Sequence, residues 1–160
     1  MITQNVIHGN REWGVALTAN SLVEVRENSI TRNGSYGIDV GLDLSSVTDP
    51  PKPQLLSATY DPVLQQTVIR GLGTRGGKLD LYATPTFSTH PQGETYLGWQ
   101  WAHEAFEMRV GGDLRGQWIT GTISVHSTLF FLRDAAPATN VWRPPTGVDT
   151  SELSDAIQVQ

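Results

Sequence analysis

The first forty residues repeat once, with a period of 23 residues. Each copy reads Asn-x-Ile-x-x-Asn, then three residues, then Gly-aliphatic-x-aliphatic. The matching positions are Asn5 and Asn28, Ile7 and Ile30, Asn10 and Asn33, Gly14 and Gly37, and Leu17 and Val40. Two amphipathic hairpins that resemble each other by accident are the alternative, but such hairpins would not need the same asparagine and glycine positions. The common register therefore indicates a structural repeat.

A repeat of this length, made of short apolar segments, predicts two coils of a parallel β-solenoid. The stacked, inward-facing pairs are then Ile7 with Ile30, Val15 with Ile38, and Leu17 with Val40. Asn10 and Asn33 are expected at left-handed corners, with their amides hydrogen-bonded from one coil to the next. Gly14 and Gly37 are expected to open a tight corner.

The pattern resembles the repeats of right-handed parallel β-helix proteins, the architecture of pectate lyases and of many secreted bacterial surface proteins. The resemblance covers about residues 3–42, which is two coils. Because each coil needs neighbours to bury its open ends, about three repeats are the minimum for a stable solenoid. The resemblance therefore implies that the chain is the C-terminal piece of a longer solenoid, or that another copy covers the exposed coil.

The segment 49–53, Asp-Pro-Pro-Lys-Pro, is a predicted linker between coils at 1–48 and a second unit at 54–160. After it come longer alternating strands with frequent turn signals, the pattern of a β-sandwich. The predicted strands are 54–60, 63–71, 78–83, 95–102, 105–110, 118–125 and 154–159, with 128–133 as a further candidate. No stretch keeps a helical period, so the predicted class is all-β.

Four motifs of the second unit carry a second resemblance. They are Pro-Gln-Leu-Leu-Ser-Ala at 53–58, Leu-Asp-Leu-Tyr-Ala at 79–83, Gly-Glu-Thr-Tyr-Leu-Gly at 93–98 and Thr-Ser-Glu-Leu-Ser at 150–154. The run resembles the immunoglobulin-like sandwich that ends many secreted bacterial β-helix proteins, and it covers residues 51–159. An insertion at about 126–149 departs from that pattern. The resemblance implies a secreted or cell-surface protein, and its motifs are structural rather than catalytic.

Charge and composition exclude several partners. The net charge of −5 and the pI near 5.2 argue against binding to nucleic acid or to an anionic membrane surface. The longest apolar run, at 128–132, is far below the ~20 residues that would span a bilayer, and no signal-peptide pattern is visible. The absence of cysteine removes disulfides, zinc ribbons and thiol catalysis.

A lyase of the β-helix type would need carboxylates that hold calcium and a basic residue on the outer face of its coils. The outward-facing charged candidates are Arg11, Glu12, Glu24, Arg26, Glu27, Arg32 and Asp39. No nucleophile–base motif joins them, so the sequence predicts no catalytic residue and no cofactor. Asp39, Asp43 and Asp49 are alternative candidates for a calcium site, although turn formation explains them better.

Aromatic residues are the other candidate site. Trp99 and Trp101 share one face of a predicted strand and, with Tyr96 nearby, could bind the apolar faces of sugar rings. Core packing is the favoured alternative, because an inward-pointing Leu97 places both tryptophans inward by the same alternation. Trp142 is expected to be exposed.

The predicted open coil leaves Ile7 only half covered, and Phe130 and Phe131 are consecutive in the unexplained insertion. We therefore expect other copies to cover these surfaces in a homo-oligomer or filament, unless the end is simply frayed. The function expected from the sequence is a non-catalytic extracellular or cell-surface module that binds glycan or protein, or self-assembles. The competing expectation is a C-terminal fragment of a polysaccharide lyase or glycoside hydrolase whose catalytic coils lie upstream.

Overall fold

The computed structural model describes residues 1–17, 23–40, 51–126 and 148–160. Within these ranges the chain is all-β, as predicted from the sequence, and contains no helix. In particular, no helix of these ranges is long and apolar enough to cross a membrane. The short strands of the two repeats are β1 (Ile2–Thr3), β2 (Val6–His8), β3 (Val15–Leu17), β4 (Val25–Arg26), β5 (Ser29–Thr31) and β6 (Ile38–Val40).

The two repeats pair in parallel, one above the other. β1 pairs with β4, β2 with β5 and β3 with β6. Every paired residue lies 23 positions from its partner, so Ile7 pairs with Ile30 and Val15 with Ile38. The register predicted from the sequence repeat is confirmed at these positions. We call residues 1–17 the first repeat and residues 23–40 the second repeat.

The left-handed corners of the repeats precede the asparagines. Gln4 has φ 57° and its counterpart Glu27 has φ 55°, while Gly9 has φ 71° and its counterpart Arg32 has φ 55°. The prediction that the asparagines themselves are left-handed is therefore wrong. Their predicted hydrogen bonds between repeats are present, since Asn10 Nδ2 donates to the Oδ1 of its counterpart at 2.9 Å.

Gly14 is needed for close approach rather than for a left-handed corner. Its φ is not positive, nor is that of its counterpart Gly37. A Cβ at Gly14 would lie 2.5 Å from Ile30 Cγ2 and 2.6 Å from the Gly37 carbonyl oxygen. The glycine therefore lets the first repeat rest directly on the second.

The described residues from 51 onward form two antiparallel sheets. One sheet has the order β11-β8-β7; the other has the order β10-β9-β12-β13, with β14 also paired to β12. Their strands are β7 (Gln54–Asp61), β8 (Gln66–Leu72), β9 (Lys78–Thr84), β10 (Thr95–Trp101), β11 (Ala105–Gly111), β12 (Trp118–His126), β13 (Val148–Thr150) and β14 (Ile157–Gln158).

Apolar residues from both sheets form one buried core. The largest fully buried members are Ile69 from the first sheet and Leu79, Leu81, Ile119 and Ile123 from the second. In both sheets these residues alternate along their strands with residues on the opposite face. The opposite face of the second sheet contacts the repeats.

The strand predicted at 63–71 begins later, at Gln66. The Asp61 carboxylate accepts the N–H groups of Val63 at 2.9 Å and Leu64 at 3.1 Å, which closes a turn. Val63 is 88% exposed. The prediction therefore began the strand too early, because it counted the apolar Val63 and Leu64, which lie in the turn, as strand residues.

The strand predicted at 154–159 is reduced to β14. Before β14 begins, the Ser154 hydroxyl accepts the Gly121 N–H at 3.0 Å, so a side chain supplies the acceptor to β12. The further candidate strand at 128–133 lies outside the described residues.

Candidate functional site

The outer edge of the second repeat is closed by the antiparallel sheets. Ile30 and Gly93 exchange two backbone hydrogen bonds, of 2.7 and 2.8 Å. The N–H of Gly37 donates to the Pro91 carbonyl at 2.9 Å. Because these groups would otherwise form an unpaired strand edge, the segment 91–93 ends the stack of repeats on this side.

Two side chains from the sheets complete the apolar interior of the second repeat. Tyr82 and Leu153 are 3% and 2% exposed and belong to the same buried cluster as Ile38. The Tyr82 hydroxyl also accepts the N–H of Glu27 at 3.1 Å. Gly37 permits the close packing of Leu153, because a Cβ there would lie 2.7 Å from Leu153 Cδ1. The sheets therefore close the second repeat with both apolar and polar contacts.

The first repeat presents the opposite edge uncovered. Within the described residues, each of its strands pairs with one other strand only. Ile2 and Ile7 are half-buried, whereas their counterparts Val25 and Ile30 are 0% and 3% exposed. Val6 is 72% exposed. Among the residues that the structure describes, the stack therefore has one closed edge and one edge without a partner, which we call the open edge.

A buried carboxylate lies where the repeats contact the second sheet. Asp80 is fully buried, and its Oδ1 accepts the Tyr96 hydroxyl hydrogen at 2.9 Å. Its Oδ2 lies 3.7 Å from Arg26 Nε. Burial raises the pKa of Asp80 to about 6, against the opposing hydrogen bond from Tyr96 and the charge of Arg26. Loss of solvent thus outweighs both favourable partners.

Arg26 links this carboxylate to the charges of the second repeat. It forms ion pairs with Glu24 at 3.4 Å and Glu27 at 2.6 Å. Three buried side-chain atoms of the described residues have no hydrogen-bond partner: Arg26 Nε, Asp80 Oδ2 and Thr122 Oγ1. Asp80 pairs across the strands with Thr122. The cluster couples the repeats to the sheet, and Asp80 has no exposed surface from which to reach a substrate proton.

We expect part of the stability of this fold to be lost as pH rises from about 4 to about 7. Folding raises the pKa of Asp80 from its ordinary value to about 6, so in this interval the folded chain binds more protons than the unfolded chain. The loss is roughly 2–3 kcal/mol, because each factor of ten in an equilibrium constant is worth about 1.4 kcal/mol.

Urea unfolding of the wild type and of Asp80→Asn, at about pH 4.5 and about pH 7.5, measures this term. The variant should lack it and should be the more stable protein at the higher pH. A variant that is less stable than the wild type at about pH 7.5 would show that the Arg26 pair outweighs the burial of the charge.

Trp99 and Trp101 lie on the outer face of β10. A β-bulge between Tyr96 and Gly98, where Gly98 has φ 126°, shifts the alternation of the strand. Leu97 therefore packs against the core while Trp99 and Trp101 are 45% and 59% exposed. The expectation of core packing is wrong, because it assumed an unbroken alternation from Leu97.

The two exposed tryptophans do not form a flat surface. Their rings meet edge to face at 87°, with centroids 5.8 Å apart. Lys78 Nζ lies 4.0 Å from the centre of the Trp99 ring. The Tyr96 hydroxyl donates to Asp80, which is the cross-strand partner of Trp99. Trp101 is thus the more accessible ring of the pair.

Other residues singled out in the sequence fall outside the described ranges. They are Asp43, Asp49, Phe130, Phe131 and Trp142. Asp39 is half-buried in β6. No group of three or more His, Asp or Glu that could hold a metal ion occurs in the part of the chain that the structure describes. A calcium site that includes Asp43 and Asp49 stays a prediction.

The sequence interpretation missed Asp80 and Tyr82. In the segment 79–83 they alternate with apolar residues, and the sequence analysis gave neither of them a role. The neighbouring strand offered a signal, because Thr120 and Thr122 place small polar residues on that same face, and both are buried. Small side chains along a whole strand face indicate that something packs against it.

Comparison with known proteins gives no assignment: no family model matches the chain, and no curated protein matches it.

Proposed function

We propose that this chain is a non-catalytic structural module in which an immunoglobulin-like β-sandwich caps one end of a right-handed parallel β-helix. One observation carries the proposal. The segment 91–93 and the Tyr82 side chain close the edge of the second repeat, while no described residue pairs with the outer edge of the first repeat. A secreted or cell-surface location is part of the proposal, on the resemblance given above.

The architecture supports each half of this proposal. Three in-register parallel pairs with one common offset are what stacked β-helix coils require. Two antiparallel sheets around one apolar core are what a sandwich requires. The sandwich stabilises the second repeat, because it pairs an open strand edge and covers an apolar interior.

The capping role is tested by amide exchange in Gly93→Val. A Cβ at Gly93 would lie 2.9 Å from Tyr82 Cγ, so the valine should separate the segment from the second repeat. We expect exchange at Ile30 and Gly37 to become faster by at least about tenfold. Gly111→Val is the matched control, because a Cβ there meets nothing within 4 Å.

Unchanged protection of Ile30 in Gly93→Val, with the sheets still folded, would contradict the capping proposal. Faster exchange throughout the sheet core in the same variant would instead report global unfolding. The protection of Leu79 and Ile123, which lie in the shared core, separates these two results.

A second candidate is carbohydrate binding, favoured by the exposure of Trp101. The competing enzymatic proposal, a fragment of a polysaccharide lyase or hydrolase, has less support. The charged residues at the junction, Arg26 with Glu24 and Glu27, bind one another. A glycan array, run beside an assay for reducing ends and unsaturated products, separates the candidates. Turnover that Arg26→Ala abolishes would overturn the non-catalytic assignment.

A further inference from the structure

We propose that the open edge of the first repeat is a docking surface for one further parallel β coil with the same spacing of asparagines. The inference rests on the proposed function, because it names what the edge opposite the cap binds. The hydrogen bonds that already join the two repeats show what such a coil would have to supply.

Asn28 is a ladder asparagine, by which we mean one that hydrogen-bonds to its counterpart in the neighbouring coil. Its contacts show what such a residue needs from the coil stacked on it. Its Oδ1 accepts the backbone N–H of Asn5 at 2.9 Å and the Asn5 side-chain amide at 3.1 Å. Its Nδ2 donates to the Ile2 carbonyl at 2.9 Å. The side chain is fully buried. A ladder asparagine is thus satisfied by an N–H and by a carbonyl three residues earlier, both on a parallel chain.

Asn5 repeats one part of this arrangement at the open edge. Its Nδ2 donates to the Thr3 carbonyl at 2.8 Å, as Asn28 Nδ2 donates to the Arg26 carbonyl at 2.9 Å. Its Oδ1 accepts no hydrogen bond from the described residues, whereas the Oδ1 of Asn28 accepts two. Asn5 Oδ1 is therefore an acceptor that is already oriented for a donor on a further coil stacked on the first repeat.

A second ladder gives the same result. Asn33 Oδ1 accepts the N–H of Asn10 at 3.1 Å and the Asn10 side-chain amide at 2.9 Å. Asn10 Oδ1, in turn, has no donor among the residues that the structure describes. The open edge thus carries two acceptors five residues apart, Asn5 Oδ1 and Asn10 Oδ1. Each is placed to accept hydrogen bonds from an asparagine of a further parallel coil.

The backbone of the first repeat completes the surface. The N–H groups of Ser29 and Gly34 in the second repeat donate to the carbonyls of Asn5 and Asn10 in the first repeat. By the repeat offset, the N–H groups of Val6 and Arg11 point to the open edge. The half-buried Ile2 and Ile7 continue the apolar columns there. The partner therefore needs carbonyls, asparagine donors and aliphatic residues in one register.

A second copy of this chain does not supply that register. Its second repeat cannot stack on the open edge, because Pro91 and Gly93 already hydrogen-bond to the edge that faces away from the first repeat. Two open edges related by a two-fold axis would bring their strands together antiparallel. The N–H and the carbonyl that a ladder asparagine contacts would then lie in the reverse order along the partner strand. A parallel coil from a β-helical segment without a cap satisfies both ladders.

The test supplies such a coil covalently, by fusing a copy of residues 1–23 ahead of Met1. We expect amide exchange at Val6 and Arg11 to become slower by at least about tenfold in the extended chain. The matched control is Asn5→Ala together with Asn10→Ala, prepared with and without the extension. The gain in protection should shrink in this control, because the ladder acceptors are missing.

Unchanged exchange at Val6 in the extended chain would overturn the proposal. So would a dimer of the unextended chain, seen by sedimentation at micromolar concentration with Val6 protected, because a second copy would then cover the edge. Ile30 and Gly37 report the cap in the same experiment. Loss of their protection would count against the capping function and not against docking at the open edge.

Discussion

Replacing Tyr82 with alanine is expected to lower the free energy of unfolding by about 3–5 kcal/mol, as for other buried aromatic residues. The ring is 3% exposed and lies in the apolar cluster of the repeats, although Tyr82 belongs to the second sheet. Its loss would leave a cavity at the contact between the two. Urea unfolding followed by tryptophan fluorescence measures the change.

Tyr82→Phe is the matched control, because it keeps the ring and removes only the hydroxyl. That hydroxyl accepts the Glu27 N–H at 3.1 Å, so the phenylalanine variant should lose about 1–2 kcal/mol. Equal losses in the two variants would mean that the hydrogen bond, and not the packing of the ring, stabilises the contact.

Replacing Asn28 with alanine should cost about 2–4 kcal/mol. The side chain is fully buried and takes part in four hydrogen bonds, with Asn5 twice and with the Ile2 and Arg26 carbonyls. Each bond contributes about 0.5–1.5 kcal/mol, and a buried group left without a partner adds to the loss. Asn5→Ala tests position against residue type, since Asn5 is the exposed counterpart in the first repeat.

The Asn5 variant should lose less than about 1 kcal/mol, because its side chain is exposed and its backbone N–H can still donate to Asn28. Thermal unfolding of both variants checks the difference. Similar losses at the two positions would contradict the asymmetry between the covered and the open repeat.

The repeats were predictable because stacking imposes one period on every element. Ile7 over Ile30 and Asn10 over Asn33 share the offset that the sequence carries. The left-handed corners were harder, because residue identity does not repeat there: Gly9 is matched by Arg32. A backbone conformation fixed by the stack does not require a residue that favours it.

The exposed tryptophans and the buried aspartate escaped prediction for different reasons. One extra residue in the bulge at Gly98 reverses which face Trp99 and Trp101 occupy, and local alternation contains no sign of that bulge. The burial of Asp80 could not be read from the sequence, because it depends on the repeats, which are distant along the chain. The alternation of side chains along a strand depends on neighbouring residues, whereas the burial of a sheet face depends on elements that are distant in sequence.

The distance along the chain between the repeats and their cap has a consequence for synthesis. The N–H of Val25 donates to the Thr150 hydroxyl at 2.9 Å across 125 residues, and Leu153 fills the same interior. A ribosome therefore releases the second repeat long before it makes Thr150 and Leu153. Long-range closures of this kind slow folding and prolong the exposure of strand edges. Until Leu153 emerges, the closure of the second repeat by Tyr82 and the segment 91–93 is incomplete.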